Sequence, residues 1–415
     1  MAVPRAMDAV NLLHCADTRF PIERANGIQI METCHALAAR GHQVTLLVRR
    51  DRRHANLDPF DYYGLPPLPA LRIRRPTLPR DGLPRRLGYL SHALRYALGP
   101  ARPDLVMTRD LGVADTLLRL PSGFRPPVVY ESHGFAPIVA NERPDVLSEA
   151  AGASHGKQRR LFARERRVWS RAEGYVTITR GIASDLAGRF GGRSRLLVAP
   201  SGARLMPARR FTPPSPGETP VLAYAGHLYP GKGVEILLRA VAQLPEVRAV
   251  IIGGYPNDAD LAKVRRLTSE LSLDDRVEFT GQVEPSRVSP LLAAADLLIL
   301  PVTGARSFTQ YTSPMKLFEY MALGKPIVAS DLSAIREVLR DGENAVLVEP
   351  DSPGRLADGV RRVLGDRVLA GRIAHGAFDD AAQYSWERRA ERLEDLCREV
   401  LGALPSSSDR SAGGA

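Results

Sequence analysis

The sequence predicts two doubly wound α/β domains joined by a proline-rich linker, and three observations carry that prediction. Short apolar runs alternate with amphipathic stretches through both halves of the chain. Many of the runs are continuously apolar, as in parallel strands covered on both faces. Residues 205–220, "LMPARRFTPPSPGETP", hold five prolines and no apolar period, which marks a linker. A chain of 415 residues exceeds one typical core, so the linker is read as a boundary. The expected division is a first domain at 1–204, the linker at 205–220 and a second domain at 221–383. A C-terminal helix at 384–403 is expected to cross back to the first domain, followed by a disordered tail at 404–415.

Taken in order, "AVNLLH" reads as the first strand. The loop "CADTRFPIERANG" leads to a helix, "IQIMETCHALAARG", with Ile28, Met31, Leu37 and Ala38 near helical spacing and Gly41 at its end. "HQVTLLVRR" is the next strand, which completes one nucleotide-fold unit. "PDLVMTR" and "PPVVYESHG" are short strands with polar tails, followed by a charged helix, "GKQRRLFARERRVWSRA", and two more strands, "EGYVTITRG" and "SRLLVAPSG". After the linker the pattern restarts: "VLAYAGHL", helix "GVEILLRAVAQL", "VRAVIIGG", helix "LAKVRRLTSEL", "RVEFTGQV", helix "VSPLLAAA" and "DLLILPV". A long loop and a helix opening at Ser313-Pro314 come next, then "PIVAS", "NAVLVEP", a helix around "GRLADGVRRVL" and the closing amphipathic helix "SWERRAERLEDLCREVLGAL".

Composition narrows the class. The three cysteines, Cys15, Cys34 and Cys397, are far apart, give neither a metal-ligand spacing nor a disulfide framework, and fit a reducing compartment. No run of about 18 apolar residues occurs and the N-terminus lacks a signal-peptide core, so a cytoplasmic protein is expected. The net charge of +11 is uneven: residues 1–210 carry 34 Lys and Arg against 18 Asp and Glu, the remainder 23 against 28. A basic half attracts phosphorylated substrates, anionic membrane or nucleic acid. Arginine enrichment over a solvated face is the plainer alternative. Interleaved aromatics and nucleic-acid motifs are lacking, so no nucleic-acid partner is expected.

Two stretches of the second domain carry chemistry. In "YAGHLYPGKGVEIL" a strand runs into a loop and a helix start, where free N–H groups and the helix dipole suit a phosphate and Lys232 adds a charge. In "SPMKLFEYMALGKP", Ser313 is the expected N-cap and Pro314 the first helical residue. Lys316 then falls in the first turn, where it opposes the dipole unless an anion lies between. The chain has only five lysines, and two of them stand in these loops. Glu319, one turn on, is placed to accept hydrogen bonds from ribose hydroxyls, or else is an ordinary helix-surface carboxylate. Together the stretches read as a nucleoside-diphosphate site.

"GHLYPGKGVEIL", "RVEFTGQV", "AAADLLILP", "SPMKLFEYMALGKPIVAS" and "DGENAVLVEPDSP", in this order, resemble the nucleotide-sugar domain of the retaining glycosyltransferase family four. "FPIERANGIQIMETCHALAARGHQVTLLVR", "VVYESHG" and "VAPSG" resemble its acceptor half, so that the likeness spans roughly residues 10 to 400. The resemblance implies the GT-B fold, two Rossmann-like domains facing across a cleft. It also implies transfer of a sugar, with retention, from a nucleoside-diphosphate sugar to a hydroxyl acceptor, in polysaccharide, glycolipid or other glycoconjugate synthesis.

By the same resemblance Gly27 lets backbone approach the donor, and His133 is the cleft histidine beside the transferred sugar. Lys232 and Lys316 neutralise the diphosphate, with His227, Ser313 and the helix N–H groups near Leu317 as further contacts. Glu319 holds ribose, and Gly281 and Val283 flank a strand end that meets the base. No cofactor and no metal are implied.

Two positions depart from the family pattern. His227 replaces the usual phosphate arginine, and Tyr311 stands where the first of two glutamates would fall, so no carboxylate nucleophile can be named. A GT-B epimerase or inverting transferase would need an acid/base in the first domain, for which Glu131 and Glu142 are the candidates. A nucleotide-sugar-binding partner of a biosynthetic complex is the non-catalytic alternative. Arginines in "RRDRRH", "RIRRP", "RRL" and the charged helix lie near Leu87, Tyr89, Leu90, Leu161, Phe162 and Trp169. That pattern suggests a surface that rests on an anionic membrane and reaches a lipid-linked acceptor.

Overall fold

The computed structural model describes residues 9–52, 56–79, 82–142, 152–207, 211–215, 217–255 and 259–402. Among these residues, thirteen strands form two wholly parallel sheets. The first holds β1 (Asn11–Phe20), β2 (Gln43–Arg50), β3 (Leu71–Arg74), β4 (Leu105–Thr108), β5 (Val128–Ser132), β6 (Gly174–Thr177) and β7 (Leu196–Val198), in the order 3-2-1-4-5-6-7. The second holds β8 (Val221–Ala225), β9 (Arg248–Ile252), β10 (Val277–Gly281), β11 (Leu297–Leu300), β12 (Ile327–Ser330) and β13 (Val346–Val348), in the order 10-9-8-11-12-13. Strands such as "LVMT", "LLIL" and "IVAS" are buried at every residue, because helices cover both sheet faces.

Each order reverses once, between β1 and β4 and between β8 and β11. The crevice at the carboxyl ends of the strands, where the order reverses, is where ligands of such sheets bind. The Rossmann-like pair with a cleft between is the GT-B architecture expected from the sequence.

The closing helix, Trp386–Gly402, leaves the second domain and packs on the first. Trp386, Ala390, Leu393, Leu396 and Val400 enter the same apolar cluster as Ile30, Leu37 and Val44. Its polar anchor is Arg389, 3% exposed in its side chain, which pairs with Glu131 Oε2 at 2.8 Å. Arg389 also donates to Thr33 Oγ1 (3.0 Å) and to the Pro200 carbonyl (3.0 Å). The linker has no regular element among its described residues, although Phe211 packs on the second domain's core. A cavity of about 190 Å³ beneath it is bounded by Pro220, Asp296 and Pro326, which precede β8, β11 and β12. It therefore lies at the sheet edge opposite the strand ends that form the cleft.

Several elements differ from the sequence reading. The edge strand β3, "LRIR", alternates charge with apolar residues and was not expected. The helices Gly82–Leu98, Leu111–Leu117, Arg180–Phe190 and Arg367–Ala381 were likewise not anticipated. The last of these begins at Asp366, whose carboxylate caps it directly behind the helix Pro353–Gly365, so the two merge in the sequence pattern. The "long loop" after β11 contains a short helix, Arg306–Tyr311.

The proposed basic apolar face also narrows. Tyr89 and Trp169 are core residues, 0% and 2% exposed, because their polar tips reach the carbonyls of Leu47 and Gly191. Arg49, Arg85 and Arg86 are engaged by Asp17, and Arg86 by Asp110 as well. The tail 404–415 and Arg53 and His54 of "RRDRRH" lie outside the described residues.

Removing one member of a buried ion pair strands the other charge. Arg389→Met is therefore expected to cost roughly 3–5 kcal/mol, a fall on the order of 10 °C in thermal midpoint. Scanning calorimetry of the full chain measures this, and an unchanged midpoint would show that the Glu131 pair does not hold the helix down.

Candidate functional site

The second-domain wall of the cleft is built from the segments that leave β8 and β11. After Ala225 the chain turns at Gly226 (φ 137°), where a Cβ would sit 2.7 Å from Lys316 Nζ, so the lysine occupies the space that a side chain would take. A single 3-10 turn, Pro230–Lys232, comes next, and then Gly233 (φ 72°) as N-cap of the helix Val234–Val241. A Cβ on Gly233 would overlap the Pro301 carbonyl oxygen, which with its positive φ requires glycine. No side chain among the described residues caps this helix, so its first N–H groups remain for a ligand. Lys232 Nζ lies 5.2 Å from the Tyr229 ring centroid and 5.0 Å from that of Phe308.

Lys316 is the second cation on this wall of the cleft. It falls in the first turn of the helix Met315–Ala322, which carries neither an acidic residue there nor a side-chain cap among the described residues. Its Nζ is shielded from solvent, lies 3.7 Å from the Tyr224 ring centroid, and has no hydrogen-bond acceptor among the described residues. Burial, then the neighbouring Lys232 ammonium, pulls its pKa well below the ordinary lysine value, against the attraction of Glu319. The Tyr224 ring face favours the charged form but supplies no counter-charge. An ammonium so placed fits an anion arriving between the two lysines.

Ser313 is not the N-cap of this helix. Pro314 takes that position, and Ser313 Oγ instead accepts from Ser201 N (3.0 Å), while Ser201 Oγ donates to the Ser313 carbonyl (2.9 Å). The pair joins the two domains, because Ser201 closes the first and Ser313 belongs to the second. Leu317 is 1% exposed and its N–H is bonded to the Pro314 carbonyl (3.0 Å), which leaves it a packing role. The Glu319 carboxylate makes no hydrogen bond that the described residues account for. Burial raises its pKa, Lys316 opposes that, and Glu32 of the facing domain adds to it.

His227 stacks with Tyr229 (centroids 5.7 Å apart, 25° between planes) and with Tyr255 (5.9 Å, 29°). Burial, followed by Lys232 and Lys316, pulls its pKa down to about 4, so it stands in the arginine position as a neutral ring. At the end of β10, Gly281 has φ 67° and open space where a Cβ would be, and its carbonyl accepts from Gly253 N (3.1 Å). Val283 is half-buried against the second domain's core.

On the first-domain side, Gly27 lies in the first turn of the helix Ala25–Ala39, where a Cβ would strike Ile22 and the Tyr63 hydroxyl. Its glycine is thus demanded by packing of the turn, whatever it offers a donor. His133 comes directly after β5, and its Nε2 lies 2.7 Å from Glu131 Oε1. Burial and then Arg109 pull its pKa down to about 4. Glu131 is held well below the carboxylate range because Arg389 and His133 outweigh its burial, and it also accepts from Gln29 Nε2 (3.0 Å). A carboxylate only accepts, so His133 Nε2 carries the hydrogen and Nδ1 is left as an acceptor.

An ionised Glu131 is no proton donor, and its oxygens are engaged by Arg389, His133 and Gln29. Glu142 is the C-cap of the helix Ala136–Asn141. Arg109, at the end of β4, and Gln29 were missed by sequence reasoning, and Arg109 donates to Gln29 Oε1 (3.2 Å). Arg109 carried a readable signal, a polar residue just past a strand near the reversal of the sheet, whereas Gln29 lies inside the helix Ala25–Ala39 and carried none. Across the cleft, Tyr255 Oη donates to Glu23 Oε1 (2.6 Å), so the walls meet beside His227.

Known proteins agree with this architecture. Residues 27–202 match the family model described as Glycosyl transferase 4-like domain, and residues 219–366 that of Glycosyl transferases group 1. The D-inositol 3-phosphate glycosyltransferase of Nocardia farcinica is 27% identical over 404 residues, covering 88% of this chain and 82% of that protein. Its namesake from Nocardioides sp. is 32% identical over 207 residues, or 46% of this chain and 43% of that one. The sucrose-phosphate synthase structure from Thermosynechococcus elongatus superimposes with a TM-score of 0.75 at 20% identity, over 95% of this chain and 99% of that one. Anabaena HepE, solved in complex with UDP-glucose, does so at 0.69 and 20%, over 95% and 100%. With one glycosyltransferase model on each side of the linker and the whole chain sharing a two-domain scaffold with these structures, this protein is a glycosyltransferase of the GT-B fold.

Proposed function

We propose that the chain transfers a sugar from a nucleoside-diphosphate sugar to a hydroxyl acceptor, with retention of anomeric configuration and without a metal ion. The observation that carries this reading is the Lys316 ammonium, buried and lacking an acceptor among the described residues, beside Lys232 and two uncapped helix starts. Breaking the anomeric bond leaves negative charge on the diphosphate, and cations already oriented there stabilise that charge as it develops. His227, being neutral, cannot share it; Lys316 takes the place of the missing arginine. Glu319 is the acceptor for ribose hydroxyls, and the Gly281–Val283 strand end offers backbone groups to the base. His133 presents Nδ1 to a hydroxyl of the transferred sugar. The acceptor hydroxyl attacks from the face the diphosphate leaves, and its proton passes to the departing phosphate. The three free, buried thiols support a reducing, cytoplasmic setting.

Calorimetric titration with UDP-, GDP-, ADP- and TDP-sugars identifies the donor. Lys316→Met and Lys232→Ala are expected to weaken nucleoside-diphosphate binding and to lower turnover about tenfold to a thousandfold. The ligand-free thermal midpoint of Lys316→Met should equal or exceed that of the wild type, because a buried unpaired charge has been removed. Unchanged donor affinity and turnover in both variants would sink the assignment.

His133→Ala is expected to reduce sugar transfer by about tenfold or more, as for loss of a transition-state contact, while nucleoside-diphosphate affinity stays near the wild-type value. An equal loss of both, with a lowered thermal midpoint, would mean that the ring only supports Glu131.

An anionic membrane surface is a second reading, favoured by exposed apolar side chains among cations. Phe162 (41% exposed) lies among the exposed Lys157, Arg159, Arg160 and Arg166 on the helix His155–Arg171, and Leu83 and Leu87 are exposed on Gly82–Leu98. A lipid-linked acceptor would then be met at the leaflet. Each basic residue near such a surface contributes about 1 kcal/mol, so sedimentation with anionic liposomes should be strong at low salt and fade as salt rises. Equal behaviour with neutral and anionic liposomes would point to a soluble acceptor.

A further inference from the structure

Residues 301–313, directly after β11, touch both halves of the site. At one end they lie along the phosphate loop. The Pro301 carbonyl fills the space beside Gly233, Thr303 N donates to the Gly231 carbonyl (3.4 Å), and the Phe308 ring stands 5.0 Å from Lys232 Nζ. At the other end they are embedded in the first domain. Tyr311, 3% exposed, belongs to that domain's apolar cluster together with Tyr130, Phe135 and Ile182. It packs over Gly134, the residue after His133, where a Cβ would stand 3.2 Å from the tyrosine ring. Its hydroxyl donates to Asp185 Oδ2 at 2.6 Å, an oxygen that also accepts from Arg189 Nε (2.9 Å).

Neighbouring contacts fix the same junction. Thr179 Oγ1 donates to the Gln310 carbonyl (2.8 Å). Glu337 of the second domain accepts from the N–H groups of Arg180 (2.7 Å) and Gly181 (3.0 Å), and so caps a helix of the first.

We propose that Tyr311 is a positioning residue, a latch that fastens the 301–313 segment to the acceptor domain and ties closure of the cleft to the placement of Lys232 at the donor diphosphate. The proposal rests on the donor reading above. It accounts for the departure at this position. A glutamate at 311 would bring a second carboxylate against Asp185, whereas a phenol donates a hydrogen bond to it. A side chain withdrawn into the first domain's core is also out of reach of a donor sugar. When the closed arrangement is the one that binds, every loss of closed population lowers apparent affinity in proportion.

The test is calorimetric titration of UDP, GDP, ADP and TDP into the full-length wild type, Tyr311→Phe, Asp185→Asn and the double variant. Steady-state kinetics with the donor that binds accompany it. Tyr311→Phe removes only the hydroxyl and keeps the ring in the core. Expected is an affinity loss of about fivefold or more for the diphosphate that binds, a matching rise in donor KM, and kcat within about twofold. The double variant should be no weaker than Tyr311→Phe, which already removes the bond that Asp185→Asn, keeping one acceptor oxygen, only weakens. Wild-type affinity and KM in Tyr311→Phe, even with a lowered thermal midpoint, would make Tyr311 a packing residue and overturn the latch while leaving the donor site standing. A wild-type protein that binds none of the four diphosphates would overturn the donor site and the latch with it.

Discussion

The constraint on which the candidate site depends is the Lys316 ammonium, shielded from solvent without a hydrogen-bond acceptor among the described residues. A cation removed from water without a partner is costly, and this one is further opposed by the start of its own helix and by Lys232. The surroundings limit that cost without cancelling it. Tyr224 offers a ring face, Gly226 leaves the room, and His227 stays neutral where a third cation would add repulsion. At the proposed site, an arriving diphosphate would supply what the surroundings lack, so that binding would also relieve an internal conflict. Under the proposed donor reading, the same cations would face the charge that grows as the leaving group departs, and would serve catalysis as well as binding.

The first domain solves the opposite problem. Glu131 is buried near the cleft floor, and its charge is answered by Arg389 from the closing helix, by Gln29 and by the His133 ring. The last helix of the chain therefore reaches the cleft through one guanidinium, and orientation of His133 depends on a residue more than 250 positions away. With Nε2 committed to Glu131, the histidine faces the cleft as a neutral acceptor rather than as an acid. The cleft thus holds two buried charges of opposite kind, one without a hydrogen-bond partner among the described residues and one fully paired.

The basic excess of the first half changes meaning once its partners are visible. Asp17 is surrounded by Arg49, Arg85 and Arg86, Asp115 by Arg119, Arg164 and Arg167, and Glu173 by Arg125. Several arginines each share one carboxylate, so the surplus is gathered into clusters instead of being spread as a uniform field. The exposed cations left on the helix His155–Arg171 are a smaller feature than the composition suggested.

The sequence by itself determined the two layered α/β halves on either side of the proline-rich stretch, and the places of Lys232 and Lys316 where loops meet helices. Those signals are local: apolar period, proline, glycine before a helix, and a lysine where the dipole disfavours it. It did not reveal β3 or the helix Arg306–Tyr311, whose residues are too polar or too few to form an element without the neighbours they pack on. The exchange of Ser313 from helix cap to interdomain tie, the burial of Tyr89 and Trp169, and the pairing of Glu131 with Arg389 were decided by tertiary structure alone. Each depends on which distant groups come within a hydrogen bond of one another, and no spacing along the chain encodes that distance.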